Sequence, residues 1–152
     1  HCDNGIIVDE FGQTNFANVY ACGDCTNHPN KILNKNLRLE SVHNAMEQAK
    51  TVASSIMNNP MEYNQVPWFW SDQYDHKLQI VGLSGDHDLV TMRGNTNDAK
   101  FMLFYTKDEE LIAVDAINNP KEFLISRKLV ANKVKIKPDV ISDLNTNLND
   151  LI

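Results

Sequence analysis

Four apolar runs follow one another between Lys77 and Ala116 with only short turns between them: Lys77–Leu83 (KLQIVGL), Leu89–Arg93, Lys100–Thr106 (KFMLFYT) and Leu111–Ala116 (LIAVDA). Each has the length and the β-branched and aromatic content of a strand. Asp108-Glu109 between the last two marks a hairpin turn. Local turns of this kind join antiparallel neighbours, because parallel ones need a long crossover. Helical patterns come only afterwards. Asn119-Pro120 precedes a helix from about Lys121 to Asn132 that carries Phe123, Leu124, Arg127 and Leu129, and a short helix is expected around Asp139–Leu144. The tail from Asn145 to Ile152 is polar with spaced leucines. Strands in a row followed by helices give an α+β class, with an antiparallel sheet packed on helices.

The front of the chain is patterned differently. Gly5–Glu10 (GIIVDE) predicts a short strand, Phe11-Gly12-Gln13-Thr14 a turn, and Val19–Cys22 a second strand that stops at Gly23-Asp24. Asn27–Asn36 is rich in Asn, Pro and Lys and predicts a loop. The strongest helix runs from Arg38 to Asn58. Val42, Ala45, Met46, Ala49, Val52, Ala53 and Ile56 recur at three- and four-residue spacing and predict one apolar, core-facing stripe. Ser41 is a natural N-cap, and Asn58-Asn59-Pro60 ends the helix. Composition then shifts at the aromatic cluster Val66–Trp70 (VPWFW), so the chain divides near Asn59 into residues 1–59 and 60–152.

At 152 residues the chain is long enough to bury a core without covalent staples. Its formal net charge of −6 argues against the whole chain binding nucleic acid or a membrane surface. No apolar run approaches the ~18–20 residues of a membrane span. The first residues lack the basic-then-apolar pattern of a secretory leader. The sequence opens on His1-Cys2-Asp3, with no Met, as a boundary inside a longer chain would. Three cysteines, Cys2, Cys22 and Cys25, are an odd number, which argues against a disulfide framework and for a reducing compartment such as the cytoplasm. Cys22 and Cys25 form a C-x-x-C. A redox dithiol or half of a zinc site is the sharper reading; two small residues flanking Gly23-Asp24 at a strand end is the plainer and favoured one. For zinc, His28 is the only nearby further ligand, so the set is incomplete and no metal is expected. His28, His43, His76 and His87 are scattered, and most are expected to be exposed.

Val19-Tyr20-Ala21-Cys22-Gly23-Asp24, preceded by the acid–turn–threonine stretch Asp9–Thr14, resembles the second flavin-binding signature of flavoprotein reductases with two dinucleotide-binding domains. The resemblance continues through Arg38-Leu39-Glu40-Ser41-Val42-His43-Asn44-Ala45. It becomes specific at Val66-Pro67-Trp68-Phe69-Trp70-Ser71-Asp72-Gln73-Tyr74, then Leu78–Leu83 and Val114–Lys121, which are similar to the C-terminal domain of FAD-dependent NADH:ferredoxin and rubredoxin reductases. Related nitrite or peroxide reductases share the Gly-Asp signature but not the tryptophan string. The resemblance implies that Asp24 accepts hydrogen bonds from flavin ribityl hydroxyls, at the sheet edge where open α/β sheets bind ligands. It implies that Gly23 allows close approach of the backbone. It implies that Glu40, Ser41 and Val42 lead into a helix whose free amides face the flavin pyrimidine edge. It also implies that Trp70 lies near the flavin and the surface used by the electron acceptor. Ordinary readings stand beside these: a turn residue for Asp24, a capped helix for Ser41, an aromatic core for Trp68 and Trp70.

Neither glycine loop that such an enzyme needs for FAD and NADH is present; Gly82, Gly85 and Gly94 read as hairpin glycines. No nucleophile–base pair or carboxylate dyad offers other chemistry, so no catalytic residue is assigned. Between Asn118 and Lys137, Lys121, Arg127, Lys128, Lys133, Lys135 and Lys137 stand against Glu122 alone. A solvated face is the default for such a run; a dock for an acidic ferredoxin is the sharper reading. The implied protein passes electrons from NADH through FAD to a ferredoxin or rubredoxin-type carrier, with residues 1–59 as the remnant of the FAD-binding domain and 60–152 as the C-terminal domain. By itself the chain is expected to be inactive. From another class comes the alternative of a non-catalytic dimerisation or docking module. The unpaired strands and helix stripe of the front segment predict displacement of residues 1–40 or, preferably, a symmetric homodimer.

Overall fold

The computed structural model describes residues 1–152, in two compact units, His1–Pro67 and Trp68–Ile152. No helix is long and apolar enough to cross a membrane.

The second unit is a five-stranded sheet with helices after it, as the strand-rich pattern predicts. Its strands are β4 (Trp68–Gln73), β5 (His76–Gly82), β6 (Leu89–Asn95), β7 (Lys100–Lys107) and β8 (Glu110–Ile117). The order is β4-β5-β8-β7-β6, and every pairing is antiparallel. Asp108 and Glu109 form the β7–β8 turn, both at positive φ, the backbone that two-residue hairpins favour because it matches strand twist. Gly82 must be glycine: at φ +76° an added Cβ would lie 2.0 Å from the Ile112 carbonyl oxygen. After α1 (Val42–Ile56) of the first unit, α2 (Pro120–Ala131) starts with Pro at its first position, where no amide is lost, and packs on β8 and β5. A short α3 (Pro138–Ser142) lies against β6. Val81, Met102, Phe104, Val114, Ala116, Phe123, Leu129, Ile141 and Leu148 are at most 1% exposed and form one apolar core. The aromatic cluster that opens this unit, Trp68–Trp70, belongs to a strand.

The first unit departs further from expectation. Strand β1 is only Ile6–Ile7, paired parallel with β2 (Thr26–Asn30), which pairs antiparallel with β3 (Lys35–Leu37). The expected loop at Asn27–Asn36 thus holds most of two strands. Pattern reasoning misses β2 because its sequence, TNHPN, has no apolar alternation. Its side chains are buried all the same, and hydrogen bonds satisfy many of them: Thr26 Oγ1 donates to Gln48 Oε1 and Asn30 Nδ2 to the Gln65 carbonyl. The expected strand at Val19–Cys22 is not a ladder strand. Tyr20 makes an isolated bridge to Gln13, and Ala21 N–H donates to the Gly12 carbonyl, so this run folds back on the preceding turn. Helix α1 (Val42–Ile56) forms inside the expected Arg38–Asn58 but starts only after Ser41, which accepts the Asn44 amide at 3.2 Å as N-cap. Its apolar stripe is not core. Val42, Met46 and Ile56 are 57%, 56% and 61% exposed, and Ala49 and Ala53 are also exposed. The buried face is Asn44, Gln48 and Thr51.

Candidate functional site

The turn that ends in Gly-Asp is clipped to α1. Gly23 has φ +85°, and its N–H donates to Gln48 Oε1 at 2.5 Å. Thr26 Oγ1 lies 2.8 Å from the same oxygen and 2.8 Å from the Gly23 carbonyl, which also accepts the Thr26 amide. A Cβ on Gly23 would stand 3.6 Å from Ala45 Cβ, so the turn rests against the first turns of the helix. The positive φ, more than lack of space, demands glycine here.

Asp24 follows, exposed, and its carboxylate accepts no hydrogen bond from the chain. Its carbonyl takes a 3.4 Å bond from Arg38 Nη1. Arg38 also holds Glu40 Oε1 at 2.5 Å and, through Nε, Asn4 Oδ1 at 3.2 Å. One guanidinium therefore joins the start of β1, the Gly-Asp turn and the approach to α1, while Gln48 joins the same turn to the helix interior. Glu40 is spent on Arg38. Ser41 is spent as the cap, but Val42, the first helical residue, has an amide with no acceptor in the chain, as the first amides of a helix do. Of the residues singled out from the sequence, Gly23, Asp24, Glu40, Ser41 and Val42 thus fall in one bonded cluster. It presents a free carboxylate and a helix N-terminus of opposite partial charge.

Trp70 belongs to the second unit, on β4. It stacks on Trp68 at 5.1 Å between centroids and 29° between planes. Trp68 in turn lies 6.0 Å from the Phe123 ring and beneath the Arg127 guanidinium at 4.9 Å, a cation–π arrangement. Desolvation lowers the Arg127 pKa. In the basic segment Lys133 reaches Glu110 at 3.7 Å, whereas Lys121, Lys128, Lys135 and Lys137 are exposed.

Sequence reasoning passed over the residues that hold the cluster in place. Gln48, Asn44 and Thr51 recur at helical spacing, a polar stripe that signals a buried polar face only when a polar strand is known to face it. Asn44 Oδ1 accepts from Tyr63 Oη at 2.9 Å, and Tyr63 meets His28 edge-on at 4.8 Å. Burial, with Glu47 adding to it, pushes Tyr63 up to about 12. Contrary to expectation His28 is 1% exposed; neither ring nitrogen has a partner, and burial lowers it to about 4, so the ring is neutral. In the second unit Arg93, 3% exposed, spends its guanidinium on Glu122 and on the carbonyls of Ile141, Asp143 and Thr146. Burial alone would raise Glu122, but the Arg93 bonds and charge outweigh it and leave its pKa lowered.

Residues 68–152 match the family described as reductase C-terminal. The chain belongs to that family. Residues 1–49 match a second description, pyridine nucleotide-disulphide oxidoreductase. Among individual proteins, the chain is 39% identical to the ferredoxin reductase subunit of 5,5'-dehydrodivanillate O-demethylase from Sphingobium, over 97% of this chain and 36% of that protein. It is 35% identical to putidaredoxin reductase from Pseudomonas putida, over 99% of this chain and 36% of the relative. The crystal structure of the ferredoxin reductase for the CYP199A2 system from Rhodopseudomonas palustris superposes with a TM-score of 0.93 at 35% identity, covering 99% of this chain and 37% of that one. The chain thus spans little more than a third of the length of these relatives.

Proposed function

We propose that this chain forms the C-terminal portion of an FAD-dependent NADH:ferredoxin, or rubredoxin, oxidoreductase, in which electrons pass from NADH through FAD to an iron–sulfur partner. The observation that carries this reading is the Gly23–Asp24 turn clipped to the start of α1, with the Asp24 carboxylate and the Val42 amide both unspent, in a chain 35–39% identical to ferredoxin reductases. These two groups suit a flavin. A carboxylate accepts from ribityl hydroxyls, and a helix N-terminus favours negative charge on the pyrimidine edge. Bound there, FAD supplies the relay between a hydride donor and a one-electron acceptor. Asp24 orients the ribityl chain, Gly23 keeps the turn low enough for approach, Glu40 fixes Arg38 against the turn, and Ser41 caps the helix that ends on Val42. Residues 1–59 are the remnant of the flavin-binding domain in this reading, and no residue of the chain acts as acid, base or nucleophile in the electron transfer.

Trp70, with its stacked neighbour Trp68 under Arg127, marks the face toward the acceptor. The exposed cations Lys121, Lys128, Lys135 and Lys137 would speed encounter with an acidic ferredoxin. A cytoplasmic setting accords with three unpaired, exposed cysteines. A second reading, that the chain is a non-catalytic homodimerisation module, is favoured by one observation: the apolar stripe of α1 lies open.

A chimera separates the two. Residues 1–152 replace the matching third of putidaredoxin reductase, and NADH-dependent reduction of a ferredoxin is measured. The proposal expects turnover in the chimera, and a loss of at least tenfold in Asp24→Ala. A folded chimera indifferent to Asp24→Ala would refute the assignment.

A further inference from the structure

We propose that Cys22 and Cys25 are a reversible dithiol–disulfide couple that closes a ring around the Gly23–Asp24 turn. This does not rest on flavin binding. Both thiols are free and exposed, Cys22 immediately before the Gly23–Thr26 turn and Cys25 within it. The turn is already folded back: Gly23 sits at φ +85°, and its carbonyl takes the amide and the hydroxyl of Thr26. Cys25 Sγ stands over the turn, 3.5 Å from the Cys22 carbonyl oxygen. A disulfide needs Cβ atoms roughly 3.5–4.5 Å apart. Cys25 Sγ already reaches back to the Cys22 backbone, and both thiols are exposed, so the approach of the two sulfurs starts from side chains open to solvent. The turn's buried anchor, the Gly23 amide on Gln48 Oε1, involves neither thiol.

The competing use of the pair, as half of a metal site, lacks ligands. No three His, Cys, Asp or Glu side chains converge to hold an ion. His28, the nearest in sequence, is buried against Tyr63. Cys2, the third thiol, is exposed near the start of β1 and is the internal competitor.

The oxidant is a low-molecular-weight disulfide. Cys22, whose sulfur makes no bond in the chain, attacks it as the thiolate, forming a mixed disulfide and releasing one small thiol. Cys25 loses its proton and attacks the Cys22 sulfur, releasing the second. Two S–H bonds are lost and one S–S bond is made, and the two electrons leave with the two small thiols. A small ring on an exposed turn is the labile kind of disulfide, so excess reduced thiol reverses the change. The state of the couple is thereby written onto the turn that carries Asp24.

The test treats the whole chain with oxidised glutathione under native conditions, then reads free thiols, intact mass and a non-reducing peptide map. The expected result is loss of the Cys22 and Cys25 thiols, a peptide joining Cys22 to Cys25 and, in Cys2→Ser, where no third thiol can take up glutathione, a mass lower by two hydrogens. Reduced glutathione in excess restores the thiols. Cys2→Ser forms the Cys22–Cys25 bridge as wild type does. Cys22→Ser and Cys25→Ser form no such bridge, and each keeps a glutathione adduct at the remaining cysteine of the pair. Stable adducts on both cysteines of the wild type, a bridge that includes Cys2, or three unreacted thiols would each overturn the proposal.

Discussion

The two units of this chain bury opposite kinds of side chain. In residues 1–67 the buried polar residues, Thr26, Asn27, His28, Asn30, Asn44, Gln48 and Thr51, outnumber the buried apolar ones, Val8 and Tyr63. In residues 68–152 the core is apolar, from Val81 to Leu148, with Thr91, Arg93, Thr106 and Ser126 as the buried polar residues. Exposure is inverted too: α1 turns Val42, Met46 and Ile56 to solvent, whereas α2 buries Phe123, Leu129 and Val130. Apolar burial is the main favourable term in folding, and buried polar groups contribute little net stability even when bonded. The second unit therefore carries its own stability. The first is held in shape by hydrogen bonds and leaves unused the apolar face that would stabilise it against something else.

The contrast breaks first in the second unit's core. Phe104→Ala removes a fully buried aromatic ring and should cost about 3–5 kcal/mol. Both tryptophans of the chain lie in this unit, so urea unfolding followed by tryptophan fluorescence reports it directly. Arg93→Ala should cost a similar ~3–5 kcal/mol, because it strands a partly buried Glu122 and frees the carbonyls that tie the C-terminal segment to β6. A loss below about 1 kcal/mol would mean that the guanidinium is not the clasp it looks to be.

Acid separates the units by pH window. Burial holds His28 at about 4, below its ordinary 6.5, so on acidification the unfolded chain takes up this proton first. The first unit is then at full stability above pH ~6.5 and loses on the order of 3 kcal/mol as pH falls toward ~4, with no further loss from this group below that. The second unit's acid-sensitive group is Glu122, whose lowered pKa makes its contribution present above the ordinary glutamate range and lost as pH falls below it. Hydrogen exchange in β2, compared at pH 7 and 5 after correction for intrinsic rates, should show opening in the first unit only. His28→Phe should remove that dependence.

The smallest effect belongs to α1. Met46→Ser changes an exposed side chain and should move stability by no more than ~0.5 kcal/mol. If the exposed stripe is a dimer seam, light scattering at micromolar concentration should show a dimer in the wild type and a monomer in the Val42→Ser/Met46→Ser double variant. A wild-type monomer with protected amides in β1 would remove the homodimer reading.

Legibility in the sequence follows the same divide. The strand runs of β5, β7 and β8 and the Asp108-Glu109 turn were readable because their apolar side chains line the core, whereas β6 was readable from its length and flanking turns alone: Leu89, Val90 and Met92 are exposed and Thr91 and Arg93 are buried. Helix α1 was readable in extent and cap, since Ser41 and the Asn58-Asn59-Pro60 stop act locally. Its orientation was not, because periodicity shows that a stripe exists and not what covers it. Strand β2 was invisible: its burial is paid in hydrogen bonds to Gln48 and Gln65, more than 20 residues away, which no local pattern encodes. The cluster's conspicuous members, Gly23, Asp24 and Ser41, stood out by motif, while its fasteners, Arg38 and Gln48, needed coordinates.

Flavin retention tests the functional account most directly. FAD is offered to the isolated chain, to the putidaredoxin reductase chimera and to the chimera carrying Asp24→Ala, and flavin absorbance per protein is read after gel filtration. The isolated chain, which has no glycine loop for the pyrophosphate, should retain almost none; the chimera should hold close to one FAD per chain; and Asp24→Ala should weaken binding at least tenfold, about 1.4 kcal/mol. Near-stoichiometric flavin on the isolated chain, or a folded chimera that binds FAD equally well with and without Asp24, would contradict it.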